Sequence, residues 1–274
     1  MVSKRKLIYI MGCARSGSTI LGFILNNGEK CLDLGEVIDF LQREGIPNGF
    51  EVDTQNGTFW NGIKTDVLSR NSQLFAREAV QKIHLLEYHT GFPFVYSGTI
   101  SRKLLQAYDR YINSLYNSIF IRSSDKVCYI DSSKYPTRAL LLNLLLRNID
   151  FYVIYLTRNP VGVINSLKDK SKQQGSKNFF SANIYYYIVS FFCHLAQRRL
   201  RDKCLKIKYE DLTTRPEETL TKIAHFTGIE LKPAIHKVEK KLPLQQGYVF
   251  NGNRMRMEDD VVFKTTETGY ADGA

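Results

Sequence analysis

The apolar run Leu7–Met11 passes directly into "GCARSGST", Gly12 to Thr19, and then into the apolar "ILGFILNN". No other feature restricts the fold as tightly. A strand, a tight loop and a helix in immediate succession aim backbone N–H groups of a helix N-terminus at phosphate oxygens. The segment matches G-x-x-x-x-G-K-[ST] except that Ser18 stands where the lysine belongs. In a nucleotide-triphosphate site that lysine is a point charge on the β- and γ-phosphates, working beside magnesium. Here the only cation of the loop is Arg15. Its planar fork of donors suits an oxyanion of an activated group that needs no metal.

Strand-length apolar runs alternate with helical segments along the rest of the chain. "KVCYID" precedes the helical "PTRALLLNLLLRN", and "DFYVIYLTRN" precedes "PVGVINSLKDK". A long helix from about Phe179 to Arg201 leads into "CLKIKY", and "RPEETLTKIAHFTG" carries Pro216 near its start and Gly228 at its end, as a helix should. Strands apolar on both faces and separated by helices imply a parallel sheet covered on both sides. The expected fold is therefore α/β, a three-layer P-loop-like arrangement with a central, mainly parallel sheet flanked by helices, in a single domain over residues 1–274. The polar segments 42–73 and 232–274 read as loops or small excursions. The aromatic stretch "NFFSANIYYYIVSFFCHLA" is interrupted by Asn183, Ser190 and His194 and followed by "QRRLR", so it reads as a buried helix rather than a membrane span.

With these elements in place, "GCARSGSTILGFIL" resembles the 5′-phosphosulfate loop of the sulfotransferase family. Members use 3′-phosphoadenosine 5′-phosphosulfate (PAPS) as donor, and the resemblance assigns Arg15, Ser16, Gly17, Ser18 and Thr19 to the 5′-phosphosulfate. "YLTRNPVGVINS" is similar to the family's 3′-phosphate motif, an arginine at a strand end and a serine eight residues on, here Arg158 and Ser166. The spacing is physically sensible. Arg158 leaves the carboxyl edge of a strand, where open α/β sheets bind ligands, and Ser166 lies two turns into the next helix. "LKIKYEDLTTRPEETLTKIAHFTGI" resembles a late family segment that implies a place near the adenine for Tyr209. "NGNRMRM" resembles the late G-N-P-x-R of a bacterial branch, which makes Arg256 a nucleotide contact, although Arg254 replaces the proline. The resemblance covers about residues 6 to 257, apart from 42–73.

The same branch commonly carries G-E after the loop and D-S-S-K at the next strand end, here Gly35-Glu36 and Asp131-Ser132-Ser133-Lys134. Its cysteines between G-E and F-W are missing, although Phe59-Trp60 is present. Moving a sulfonyl group to a hydroxyl or amine requires a base for the acceptor proton and stabilisation of charge on the departing oxygen. Glu36 is the candidate base, with acceptor binding or the start of a helix after "DLG" as its other readings. Lys134 and Arg15 are the candidate electrostatic stabilisers, with a solvated strand-end lysine as the other reading of Lys134. His84, His89, His194, His225 and His236 lie in no motif.

A formal charge of +11 and 12% aromatic residues are also compatible with a nucleic-acid-binding protein, but the cations fall at strand ends beside a phosphate loop. A P-loop kinase or NTPase would use Thr19 and Asp131 as magnesium ligands, and it lacks a need for the Arg158–Ser166 motif. Five scattered cysteines without a C-x-x-C pair indicate neither disulfides nor zinc and fit a reducing cytoplasm. The expectation is a cytoplasmic, PAPS-dependent sulfotransferase that releases adenosine 3′,5′-bisphosphate without a catalytic metal. Its partner is a small-molecule acceptor such as a bacterial secondary metabolite, with no nucleic acid and no stable membrane insertion. No motif fixes its oligomeric state. Residues 42–125 are expected to build the acceptor pocket and 232–274 to return to the nucleotide.

Overall fold

The computed structural model describes residues 4–49, 51, 53–71, 76–168, 178–258 and 260–266. Strand β1 (Lys6–Gly12) feeds helix α1 (Ser18–Asn26), which returns to the short strand β2 (Cys31–Asp33). Helices α2 (Gln55–Arg70), α3 (Arg77–Glu87), α4 (Phe92–Ser97) and α5 (Arg102–Arg122) follow before the chain re-enters the sheet at β3 (Cys128–Lys134). The units α6 (Pro136–Leu145), β4 (Asp150–Thr157), α7 (Pro160–Lys168), α8 (Phe179–Leu200) and β5 (Cys204–Lys208) complete the layers. Helices α9 (Tyr209–Thr214), α10 (Pro216–Thr227) and α11 (Lys232–Glu239) and the strands β6 (Pro243–Leu244) and β7 (Val261–Val262) close the chain.

The central sheet has the order β2-β3-β1-β4-β5, and every pairing in it is parallel. β6 and β7 form a separate antiparallel ribbon. Period-two alternation along β1 divides the core: Leu7, Tyr9 and Met11 join the cluster under α5, α6 and α8, while Ile8 and Ile10 join the one under α1, α10 and α11. A central strand buried on both faces needs that uninterrupted apolar run. Because the chain builds outward from β1 in both directions, the carboxyl ends of β1, β3 and β4 open a crevice at the switch point of the sheet.

The expected α/β architecture is present, with corrections at its edges. Residues 42–73 are not loop alone, because α2 occupies half of that range. Its polar composition and two glycines mask an apolar stripe, Phe59, Trp60, Ile63 and Val67, which is buried against the core. Likewise 232–274 contains α11 and the ribbon, while residues 267–274 lie outside the described set. The helix expected over "PTRALLLNLLLRN" ends at Leu145, the described part of "PVGVINSLKDK" ends at Lys168, and Tyr209 opens α9 instead of ending β5. Helix α8 is buried on one side only: Ala182, Val189, Cys193 and Ala196 face the core, whereas Phe180 and Phe191 are largely exposed. Among the described residues no helix is long and apolar enough to cross a membrane.

Candidate functional site

A cleft of about 750 Å³ opens at the carboxyl edge of the sheet. Arg15, Gly17, Ser18 and Thr19 line it, together with Glu36, Lys134, Arg158, Ser166, Tyr209 and Arg256. Ser16 is also in the loop but almost fully buried. Residues more than two hundred positions apart in sequence thus meet around one space.

The loop's shape follows from its glycine. Gly17 caps α1 with φ 96°, and a Cβ there would collide with the Tyr209 ring. Arg15 also sits in the left-handed region, at φ 68°, a conformation that costs an ordinary residue about 1–3 kcal/mol. Its carbonyl accepts a hydrogen bond from Arg158 Nη1 at 2.9 Å. The Arg158 guanidinium stacks 4.5 Å above the Tyr209 ring, so the strand-end arginine, the loop and α9 hold one another. Buried Arg15 Nε and Ser16 Oγ have no hydrogen-bond partner among the described residues. Buried polar atoms are rarely left unpaired, and two beside a helix N-terminus fit an anionic ligand. The Cys13 thiol in the same loop is pushed up to about 11 by burial and stays protonated.

Across the cleft, the two family-like segments at Gly35-Glu36 and Asp131–Lys134 are hydrogen-bonded to each other. Ser132 N donates to Gly35 O at 2.9 Å, and Ser133 Oγ accepts from Ile38 N at 3.0 Å. The β1–β3 register slips between Tyr9 and Met11, opposite Asp131–Lys134, and Lys134 takes φ 75°. Such an irregularity re-aims a side chain. Here Lys134 Nζ reaches an ion pair with Glu36 Oε1, each side chain being 14% exposed. Behind it, Asp33 Oδ1 accepts from Gly35 N at 3.0 Å, and burial foremost, with the Asp131 and Glu36 charges, pushes the Asp33 carboxyl up to about 7.

Asp131 is not placed to bind magnesium. Its carboxylate is fully buried and accepts from Tyr116 Oη (2.6 Å), Ser133 N (2.9 Å) and Arg138. Arg138, also fully buried, pairs in turn with Glu87. The strand-end acid that a kinase would use as a metal ligand is therefore part of an ion network inside the protein. Among the described residues no cluster of histidine, cysteine, aspartate or glutamate has the make-up of a metal site.

Arg256 lines the cleft but is largely spent on the backbone: Nε donates to Asn48 O (3.2 Å) and Nη1 to Gly252 O and Asn253 O. It clamps the late loop to the segment after Glu36. That loop also accepts from Glu36 N through Asn251 O at 2.8 Å. Trp60 Nε1 donates to Tyr248 O (2.7 Å) and Asn56 Nδ2 to Val249 O (3.0 Å), which gives the unexpected helix α2 a purpose as buttress. Arg254 is exposed at the cleft rim.

The remaining wall carries Asn251, which opens the quoted "NGNRMRM", and side chains that no motif marked: Asp39, Tyr88, His89, Tyr135 and Tyr185. Tyr88 Oη donates to Asp39 Oδ1 at 3.1 Å, and the rings of Tyr88, Tyr135 and His89 follow one another at 4.3 and 4.6 Å. Of the five histidines only His89 lines the cleft. Burial pushes its imidazole down to about 4, so it is neutral near pH 7, and its buried Nδ1 has no partner among the described residues. Tyr135, directly after D-S-S-K, and Asn251, directly before G-N-R-M-R, carried a sequence signal of their position. From 42–125, the segment expected to build the acceptor pocket, Asn48, Tyr88 and His89 reach the cleft.

A model of the sulfotransferase family matches residues 8–233. Among solved structures, the chain is similar to the sulfotransferase domain from the curacin biosynthetic pathway, at 17% identity and TM-score 0.55, covering 94% of this chain and 84% of that one. It is also similar to the sulfotransferase STF1 from Mycobacterium tuberculosis, at 13% identity and TM-score 0.50, with 86% and 71% covered. No curated protein sequence matches it.

Proposed function

Since the chain belongs to the sulfotransferase family, we propose that it transfers a sulfonyl group from PAPS to a hydroxyl or amine of a small-molecule acceptor and releases adenosine 3′,5′-bisphosphate. The observation that carries the donor assignment is the pair of unpartnered buried atoms, Arg15 Nε and Ser16 Oγ, at the start of α1. They fit the 5′-phosphosulfate. Arg158 and Ser166, beside the loop in the same cleft, fit the 3′-phosphate, and the Tyr209 ring packs next to them.

PAPS supplies the sulfonyl group and a phosphate leaving group. Glu36 accepts the acceptor proton as the acceptor's oxygen or nitrogen bonds to sulfur and the bond from sulfur to the 5′-phosphate oxygen breaks. Lys134 and Arg15 hold the negative charge that develops on that oxygen. The Lys134–Glu36 ion pair holds the carboxylate and the ammonium side by side at the cleft wall. Thr19 and Ser18 orient the phosphosulfate from the first turn of α1. Arg256 keeps the late loop folded over the nucleotide. Tyr88, His89 and Tyr135 form the wall against which the acceptor rests, in a cytoplasmic enzyme whose five cysteines are all free thiols.

Adenosine 3′,5′-bisphosphate without magnesium should raise the thermal midpoint by mass action, and by more than Mg-ATP does. Equal or greater stabilisation by Mg-ATP refutes the donor assignment. Mass spectrometry of a metabolite pool incubated with enzyme and PAPS then identifies the acceptor as the species that gains one sulfonate.

A further inference from the structure

Among the described residues, helix α8 presents an outer face that is largely exposed. Phe180 (73% exposed), Ile184 (46%), Tyr187 (61%), Ile188 (47%) and Phe191 (58%) follow the helical repeat along three turns. Beyond them the same face turns basic. Arg198 lies five turns from Phe180 on the same line, and Arg198, Arg199 and Arg201 gather with Tyr96 around a shallow depression. No acidic side chain occurs anywhere in α8. Helix α4 adds to the surface: Phe92 stacks on Phe192 at 4.4 Å, Arg199 Nη1 donates to Tyr96 O at 2.7 Å, and Phe94 between them is 58% exposed.

We propose that this face of α8, with Phe94, seats the enzyme peripherally on a lipid bilayer carrying anionic headgroups. Exposed aromatic and branched apolar side chains beside clustered arginines are the two components of interfacial binding, apolar burial at the acyl boundary and attraction to negative lipid. The charge of +11 on the whole chain acts in the same direction. A second copy of the chain is a poorer occupant. The stripe amounts to on the order of a few hundred Å², short of the roughly 800 Å² per partner of a stable interface, and α8 has no carboxylate to meet the partner's arginines. The opposite side of α8 remains engaged with the fold, with Tyr185 in the cleft wall and Tyr186 Oη donating to Arg158 O at 3.1 Å. Docking therefore leaves the cleft assembled.

The test is co-sedimentation of the full chain with vesicles of phosphatidylcholine, with and without phosphatidylglycerol, alongside sedimentation velocity without lipid. Binding is expected to the phosphatidylglycerol vesicles and to weaken at high salt. Arg198→Ala with Arg199→Ala should weaken it about 30-fold, from about fivefold per charge removed near the surface. Ile188→Ser with Phe191→Ser should weaken it at least tenfold while leaving the thermal midpoint in place, since both side chains are exposed. Failure to bind anionic vesicles at low salt, or binding indifferent to both double variants, overturns the proposal. So does a concentration-dependent dimer that the Ile188→Ser, Phe191→Ser variant abolishes.

Discussion

Replacing Asp33 by asparagine should make the protein more stable at neutral pH. The Asp33 side chain is 1% exposed, sits against Gly22 of α1, and has the charges of Asp131 and Glu36 nearby. Burial is the largest reason that its carboxyl is pushed up from 3.8 to about 7. In the native protein it therefore keeps its proton to a pH where the unfolded chain has lost it. The sign follows: the folded state binds the extra proton between about pH 4 and 7, so stability falls as pH rises through that window. At 1.36 kcal/mol per unit of pKa, the ionised native form carries a penalty of about 4 kcal/mol above pH 7 and none below pH 4. Asparagine keeps the oxygen that accepts from Gly35 N and never ionises. Urea unfolding of both proteins from pH 5 to 8 should show the wild type losing about 3 kcal/mol relative to the variant. Parallel stability profiles would refute the reasoning and mean that Asp33 is already ionised at pH 5, held by contacts stronger than its burial.

Arg158→Ala should weaken adenosine 3′,5′-bisphosphate by about 1.5–3 kcal/mol in calorimetry while affecting adenosine 5′-phosphosulfate much less, because only the first carries a 3′-phosphate. Equal losses would assign Arg158 to the loop carbonyl it already contacts. Glu36→Gln should lower kcat by about 10²–10⁴-fold with unchanged affinity for the bisphosphate, and should erase the acidic limb of the pH–rate profile. Near-normal turnover would pass the role of base to another cleft residue, His89 first. Gly17→Ala should cost about 1–3 kcal/mol in urea unfolding, through its φ of 96° and the Tyr209 ring in the path of the methyl group. An unchanged midpoint would mean that the loop relaxes without strain.

The cleft wall built by Gly12–Thr19 and Arg158–Ser166 was legible in the sequence because each segment joins a strand end to the next helix, and its spacing encodes its geometry. β2 escaped notice because three residues are too few to show a period. α2 did so because its burial pattern, Phe59, Trp60, Ile63 and Val67, lies among polar residues and Gly57 and Gly62. Asp131 illustrates a different limit, because its magnesium-ligand role arose only in the kinase alternative. A strand-end carboxylate is a metal ligand or an internal ion according to what packs over it, and the partner that decides, Glu87–Arg138, comes from two helices whose meeting no short motif records. The same holds for Tyr88 and His89, which reach the cleft only through the packing of α3 and α4 on α6.

The chain leaves the sheet at Asp33 and re-enters at Cys128, on neighbouring strands whose Cα partners include Asp33 with Ile130 and Cys31 with Cys128. Everything from α2 to α5 is thus a single detour with adjacent ends, and polymer closure depends only weakly on how long such a detour is. For protein engineering it behaves as an exchangeable cassette, able to bring a different wall to the cleft while β1, α1, β4 and α7 stay untouched. Several tethers limit the exchange, among them Trp60 and Asn56 on the late loop, Tyr116 on Asp131, and a buried ion pair. Glu87 in the detour shares the buried Arg138 of the permanent scaffold with Asp131, and a graft that omits Glu87 takes away one of that guanidinium's two carboxylate partners. A graft library that fixes glutamate opposite Arg138 should yield folded chimaeras far more often than one that randomises it.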